Sequence, residues 1–148
     1  MGDSVKAEHK HKGDHRSELT RKECFELLES VEVGRIGGIV SFRPFIFPVN
    51  FRVYDQKIVI RTVPGTKLDA ALSGQVIAFE ADHFASDGAY WWSVLIRGTA
   101  TEVTDQAKRD EIDALPLHNF AFGHRPHRIL LISTVGMTGR RYEKPKNE

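Results

Sequence analysis

The sequence predicts a mainly β domain, a barrel or a sandwich, with short helices at its periphery. Two observations support this prediction. From residue 33 onward, short segments rich in Val, Ile, Phe and Trp are separated by turn residues. The longest segment places apolar residues mainly on one face and polar residues mainly on the other, as a half-buried strand does. There is no internal repeat.

Length, charge and cysteine content limit the classes of protein to consider. The 148 residues suit one domain with a sizeable core. Lys and Arg number 21 and Asp and Glu 20, a formal charge of +1, so no strong field favours nucleic acid or an anionic membrane. Cys24 is the only cysteine, which excludes an internal disulfide and a multi-thiolate metal site. We expect a cytoplasmic protein whose partner is a small molecule or another protein, with no nucleic acid and no membrane.

The chain divides into a polar arm and one domain. Residues 1–16 hold three of the seven histidines and no apolar periodicity, and we predict a flexible arm there. The predicted domain is 17–148. It begins with a helix, because Thr20 and Glu23 have the spacing of a capping box. Two further helices are predicted over 66–73 and 104–115.

Seven strands are predicted between these helices, separated by turn residues. Chain reversals are expected at Arg43-Pro44 and at Asp55-Gln56. Gly37-Gly38 is weak strand material and indicates a bulge or a close approach of backbones. The predicted strands cover 33–41, 45–54, 57–62, 75–82, 90–103, 128–135 and 138–143.

One segment carries most of the predicted chemistry, a strand that ends in Pro64-Gly65 and opens the second predicted helix. Such a turn offers free backbone N–H groups to an anion, and the helix dipole adds positive charge. Four nearby side chains supply the charged and neutral donors that a phosphate monoester needs. They are Arg61, Thr62, Thr66 and Lys67. The alternative is an ordinary capped turn in which the two basic side chains are solvated surface charges.

Four pieces of the sequence together resemble a known family. They are Val33-Gly34-Arg35-Ile36-Gly37; Pro48-Val49-Asn50-Phe51; Ile60-Arg61-Thr62 with Gly65-Thr66-Lys67; and Trp92-Ser93-Val94 with Arg97-Gly98. In order and spacing, over residues 20–143, they are similar to the flavin-binding split-barrel family named after pyridoxamine 5'-phosphate oxidase. A late Gly139-Arg140-Arg141 is also similar.

The resemblance implies a split β-barrel of six to seven antiparallel strands in Greek-key order. It further implies a homodimer with FMN in the groove between the two copies, and hydride transfer between the flavin and an unidentified small organic substrate. The namesake completes its substrate site with a C-terminal Arg-Leu followed by Pro, which has no counterpart in residues 139–145. The substrate is therefore left open.

The resemblance also assigns residues to the cofactor in three groups. Those expected along the isoalloxazine ring are Pro48, Val49 and Asn50. Those expected at the ribityl phosphate are Arg61, Thr62, Thr66 and Lys67. Those expected to approach the flavin, from the same chain or from the partner chain, are Trp92 and Ser93. No catalytic side chain and no metal ligand is nominated.

Several alternatives stay open at this point. The same fold also accommodates a deazaflavin-dependent reductase or a non-enzymatic flavin-binding protein. Trp92 could stack on the flavin or fill the core, and aromatic residues on strands more often do the latter. Arg140-Arg141 could reach the cofactor or only discourage aggregation at an edge. The histidines at 118, 124 and 127 lack carboxylate or thiolate neighbours in sequence, and are interpreted as solvated or capping residues.

Overall fold

The structure, a computed structural model, describes residues 15–62, 76–116 and 127–145. The strands are β1 (Arg16–Glu18), β2 (Val33–Val40), β3 (Arg43–Tyr54), β4 (Lys57–Thr62), β5 (Ile77–Phe84), β6 (Tyr90–Gly98), β7 (Ala100–Glu102), β8 (Arg128–Ile132) and β9 (Gly136–Glu143). The helices are α1 (Arg21–Glu29) and α2 (Gln106–Asp113). Within the described ranges, nine strands form one antiparallel sheet in the order β1-β9-β6-β5-β2-β3-β4-β8-β7. The prediction of a mainly β fold is confirmed.

The first helix begins as its sequence predicts. The Thr20 hydroxyl accepts a hydrogen bond from the Glu23 backbone N–H at 3.2 Å, and the Glu23 carboxylate accepts one from the Thr20 backbone N–H at 3.1 Å. This reciprocal pair is a complete capping box. The α2 helix is shorter than the predicted 104–115, because the Asp105 side chain caps it by accepting from the Lys108 N–H at 2.9 Å. The predicted helix 66–73 lies outside the described residues.

The first hairpin turns at a different place from the one predicted. Val40 pairs with Arg43, so the reversal is at Ser41-Phe42, and Arg43-Pro44 already belongs to β3. Ser41 and Phe42 have φ values of 49° and 61°. A two-residue hairpin of this hand matches the strand twist and requires positive φ at both central positions. The second hairpin turns at Asp55-Gln56 as predicted, again with positive φ, 47° and 55°.

The predicted strand 90–103 is two strands. β6 ends at Gly98 and pairs with β5 and β9, whereas β7 begins at Ala100 and pairs with β8. At the break, the Ser133 backbone N–H donates to the Thr99 carbonyl and the Ser133 hydroxyl accepts from the Thr99 N–H, both at 3.1 Å. The prediction of one continuous strand is wrong because the chain changes pairing partners at this point.

One strand was not predicted. β1 pairs with the last strand, β9, with Arg16 opposite Tyr142 and Glu18 opposite Arg140. It begins inside the residues assigned to the N-terminal arm. Residues 1–14 of that arm lie outside the described ranges.

The long strand β3 connects the two parts of the sheet. Its residues 43–50 pair with β2 and its residues 51–54 pair with β4. The main core lies between these parts, and the largest of its fully buried side chains are those of Trp92, Phe51 and Phe79. A second cluster lies on the outer side of β4 and β8, where Ile112 of α2 covers Val59, Ile129 and Leu131. Neither helix in the described ranges is long and apolar enough to cross a membrane.

Candidate functional site

The strand register brings three of the predicted flavin contacts to one outer face of the sheet. Pro48 pairs with Arg35, Arg35 with Glu80, and Glu80 with Leu95. Directly paired residues point to the same side of a sheet, and residues two apart on a strand share that side. Pro48, Asn50 and Ser93 therefore lie on the same face, which we call the outer face.

Two other predicted contacts point the opposite way, into the core. Val49 is 9% exposed and Trp92 is 2% exposed, and both pack in the main cluster. Of the two interpretations left open for Trp92, its burial supports the core one. Val49 offers a neighbouring ligand its backbone only.

Of the two adjacent tryptophans, Trp91 lies on the outer face, with two aromatic neighbours. Its ring stacks between Phe84, with centroids 5.9 Å apart, and Tyr142, with centroids 6.0 Å apart. The family resemblance assigned the neighbouring Trp92, and not this residue, to the cofactor. The strand alternation was the signal that could have singled it out, since Trp91 shares a face with Ser93.

A cavity of about 570 Å³ opens on the outer face beside Ser93. Arg140 pairs directly with Ser93, and both line this cavity together with Arg97 and Thr138. Leu95 adds apolar lining. Such a size, with a few convergent polar groups, is typical of a small-molecule site. Of the two late arginines, Arg140 faces the cavity, whereas Arg141 lies 3.7 Å from the Glu23 carboxylate.

A charged cluster separates the two ends of the outer face. The Arg35 guanidinium lies 3.2 Å from the Glu80 carboxylate and 3.3 Å from that of Asp82. Burial raises the pKa of Glu80, and the hydrogen bond and charge of Asp82 raise that pKa further, against the opposing effect of Arg35. The cluster spans β2 and β5. Pro48 on β3 and Ser93 on β6 therefore lie on strands that are three spacings apart, about 14 Å across the sheet.

Arg61 is buried, not a solvated surface charge. Its Nη2 donates to the Ile112 carbonyl at 3.3 Å and lies 3.1 Å from Asp113 Oδ1. Its Nε is also buried and has no hydrogen-bond partner among the described residues. One alternative left open by the sequence is thereby excluded for Arg61, although not for Lys67, which lies outside the described residues.

The other predicted phosphate contacts are distributed differently. Thr62 is 1% exposed and lies on the opposite face of β4 from Arg61, because successive strand residues alternate. The structure therefore does not bring the side chains of Arg61 and Thr62 to the same face. Thr66 lies outside the described residues, as does Pro64-Gly65. The phosphate assignment of this segment stays a prediction.

Asp113 also contacts a histidine. His127 Nε2 lies 2.9 Å from the same Oδ1 atom that faces Arg61. The His127 backbone is fixed in turn, since its carbonyl accepts from Arg109 Nη2 at 3.0 Å. In the part of the chain that the structure describes, no three His, Cys, Asp or Glu side chains are grouped as a metal site would need. The sequence placed no carboxylate beside His127, because its partner is 14 residues away in the chain.

The sheet order, the shared strand β3 and the cavity on the outer face define the class of protein as a split β-barrel. The chain belongs to the pyridoxamine 5'-phosphate oxidase family, whose model matches residues 20–141. The family and the fold predicted from the sequence are both confirmed.

The chain is also similar to individual proteins. A candidate pyridoxamine 5'-phosphate oxidase from Corynebacterium glutamicum has a TM-score of 0.78 and 30% identity, over 90% of this chain and 98% of that one. The FAD binding protein from Mycobacterium smegmatis has a TM-score of 0.74 and 35% identity, over 86% and 98%. An uncharacterized protein of Mycobacterium tuberculosis is 39% identical over 93 residues, which are 60% of this chain and 61% of that relative.

Proposed function

We propose that this protein is an oxidoreductase that binds a flavin nucleotide between two copies of the chain. Its cofactor passes hydride to or from a small organic substrate. The single observation that carries the proposal is the cavity of about 570 Å³ beside Ser93, on the outer face of a chain of this family. FMN is the flavin that the sequence resemblance implies. The FAD binding protein of 35% identity favours FAD as the second candidate.

The lining of the cavity suits part of a flavin. Arg97 and Arg140 provide positive charge, which the Glu18 carboxylate in the same lining offsets in part, and Ser93 and Thr138 provide hydroxyl donors. Leu95 adds an apolar side chain. A reduced flavin carries negative charge on its pyrimidine edge, and guanidinium groups stabilise such charge as it develops. The flavin itself supplies the hydride chemistry, and the side chains orient it and adjust its charge.

The distribution of contacts on the outer face supports a site built from two copies. Pro48 and Ser93 lie on strands about 14 Å apart, with the cluster of Arg35 between them. A ring held along β3 would therefore meet a Ser93 contributed by the second copy. Large apolar side chains on the same face are also exposed, Ile39 at 58% and Ile46 at 73%. A second copy would remove this apolar surface from water.

A phosphate fits the donors that the structure does describe at β4. Arg61 has a buried Nε with no acceptor among the described residues. An anion next to it would satisfy this donor, and a charge-assisted hydrogen bond is the stronger kind. Arg61, with the predicted partners Thr66 and Lys67, would hold the phosphate that FMN and FAD share at the end of the ribityl chain.

The first experiment is an absorption spectrum of the untagged purified protein, followed by the mass of whatever is released on denaturation. The expected result is a yellow protein that releases FMN or FAD, and the mass decides between them. A deazaflavin would differ in both colour and mass. A protein that stays colourless after soaking in excess FMN and excess FAD contradicts the proposal.

Two further measurements separate the parts of the proposal. The double variant Arg61→Ala with Lys67→Ala is expected to lose its flavin, whereas Arg43→Ala with Lys57→Ala, which removes the same charge elsewhere, is expected to keep it. Full flavin occupancy in the first variant would refute the phosphate assignment. Oxidation of NADH or NADPH by the coloured protein tests the enzyme against a flavin-binding protein that turns nothing over.

A further inference from the structure

We infer that Asp113 is a positioning residue for the flavin phosphate: it fixes the guanidinium of Arg61 and is itself held by His127. The inference rests on the proposed function and names a residue that neither the family resemblance nor the phosphate motif includes. Asp113 is the last residue of α2, and Arg61 is on β4. The contact therefore joins the covering helix to the predicted phosphate strand.

The geometry fixes one end of the guanidinium group. Two acceptors meet its Nη2, the Ile112 carbonyl at 3.3 Å and Asp113 Oδ1 at 3.1 Å. The Ile112 carbonyl belongs to the last turn of α2, at the negative end of the helix dipole, and it also accepts from the Leu115 backbone N–H at 3.0 Å. Because the guanidinium is planar and rigid, fixing one nitrogen sets the direction of the remaining donors. The buried Nε is one of them.

The charges explain why a carboxylate is needed here. The Arg61 side chain is only 7% exposed, and a buried cation without a counter-charge is strongly destabilising. Asp113, 37% exposed, supplies that charge from the helix end. The helix dipole does not hold Asp113 there, since a C-terminus disfavours an anion. Asp113 is instead held by its contact with His127 Nε2 at 2.9 Å.

The framework around the pair restrains it from several elements. His127 precedes β8, and its carbonyl accepts from Arg109 of α2 at 3.0 Å. Arg109 also donates to the Val103 carbonyl at 3.2 Å, next to β7. The carboxylate thus lies between α2 and the residue that precedes β8, which Arg109 joins by a hydrogen bond. A preformed arrangement of this kind lowers the entropy cost of ordering Arg61 when an anion binds.

Asp113 acts through Arg61 and not on the ligand itself. A carboxylate in direct contact with a phosphate would repel it. Its effect is therefore expected only for ligands that carry the phosphate, and only while Arg61 is present. A merely structural residue would instead change the binding of every flavin.

The test compares FMN with riboflavin, which lacks only the phosphate. Dissociation constants are measured by fluorescence titration of the full-length protein after its flavin has been removed. In Asp113→Asn we expect FMN to bind about ten-fold more weakly and riboflavin binding to be unchanged. A loss of affinity of this size is expected when a hydrogen bond to a charged group is weakened. Asp110→Asn, which removes one charge from the same helix, is the matched control and should alter neither constant. Asp113→Glu should recover part of the loss.

The outcomes are distinguishable. In an Arg61→Ala background, Asp113→Asn should have no further effect on FMN binding. An unchanged or increased FMN affinity in Asp113→Asn overturns the inference, and so does an equal loss for both flavins. If Asp113→Asn does not fold, the dissociation constants of FMN and riboflavin are measured in His127→Ala instead. In that variant FMN binding should weaken and riboflavin binding should not change. Failure of the wild-type protein to bind any flavin refutes the proposed function itself.

Discussion

Gly98 lies directly against the carbonyl oxygen of Ser133, so closely that a β-carbon at Gly98 would overlap it. This contact occurs where β6 ends and the chain changes its pairing partner. We expect Gly98→Ala to lower the free energy of unfolding by about 2 kcal/mol, because backbone and not a flexible side chain would have to move. Thermal unfolding followed by circular dichroism measures the effect.

The control for this substitution is Thr99→Ala at the next position. Thr99 is exposed, and its contacts with Ser133 are made by its backbone. Thr99→Ala should therefore lower the free energy of unfolding only slightly. Equal stability of Gly98→Ala and wild type would show that the two strands around Gly98 can separate at little cost.

The capping box of α1 gives a second prediction. Thr20→Ala removes the hydroxyl that accepts from the Glu23 N–H at 3.2 Å. We expect a loss of about 1 kcal/mol, which is a fall in Tm of about 3 °C for a domain of this size. Lys22→Ala in the same helix is the control, since that side chain is 86% exposed. If both variants melt together with the wild type, the cap contributes nothing measurable.

The outer-face cluster gives a pH-dependent prediction. Burial and Asp82 raise the pKa of Glu80 above its ordinary value of 4.5. The folded state therefore holds the proton more tightly than the unfolded state, and stability falls as the pH rises from 4.5 through the folded pKa. Glu80→Gln removes this dependence. The Tm of Glu80→Gln minus the Tm of the wild type is expected to become more positive as the pH rises from about 4 to about 7.

The matched control for that series is Glu26→Gln, whose carboxylate is 62% exposed. Its Tm difference from wild type should be nearly constant with pH. The prediction is contradicted if the Tm difference between Glu80→Gln and wild type stays constant with pH. It is also contradicted if that difference becomes less positive as the pH rises.

The cavity beside Ser93 gives a fourth prediction, which depends on the proposed function. Ser93→Trp places a large ring in the space between Arg97 and Arg140. The variant should fold, because Ser93 lies on the outer face and not in the core, yet it should purify with little flavin. Thr101→Trp adds the same ring at an exposed strand position and should keep its flavin. Full flavin content in Ser93→Trp would place the cofactor elsewhere.

Features that depend on residues close together in the chain could be predicted from the sequence. The capping box at Thr20 depends on two residues three positions apart, and the hairpin at Asp55-Gln56 on two adjacent ones. Both were predicted correctly. The alternation within the sixth strand was also readable, and it placed apolar residues on the face that the structure buries, although the resemblance assigned one of them, Trp92, to the flavin. In each case the deciding interaction lies within a few residues.

Features that depend on distant contacts were not readable. The end of β6 at Gly98 is set by Ser133, 35 positions later, where two sheet parts meet. The burial of Arg61 depends on Ile112 and Asp113, since α2 packs over β4. A sequence pattern shows that an arginine lies near the end of an apolar strand, but not which helix covers it. The sequence therefore named candidate site residues, but not which of them share a face of the sheet.

The division of β3 between β2 and β4 has a consequence for how the protein melts. Loss of either neighbour would leave part of one continuous strand without hydrogen-bond partners and expose the core that both parts share. Neither part is expected to persist by itself. Unfolding in denaturant should therefore follow a single cooperative transition, with tryptophan fluorescence and far-ultraviolet circular dichroism giving the same midpoint.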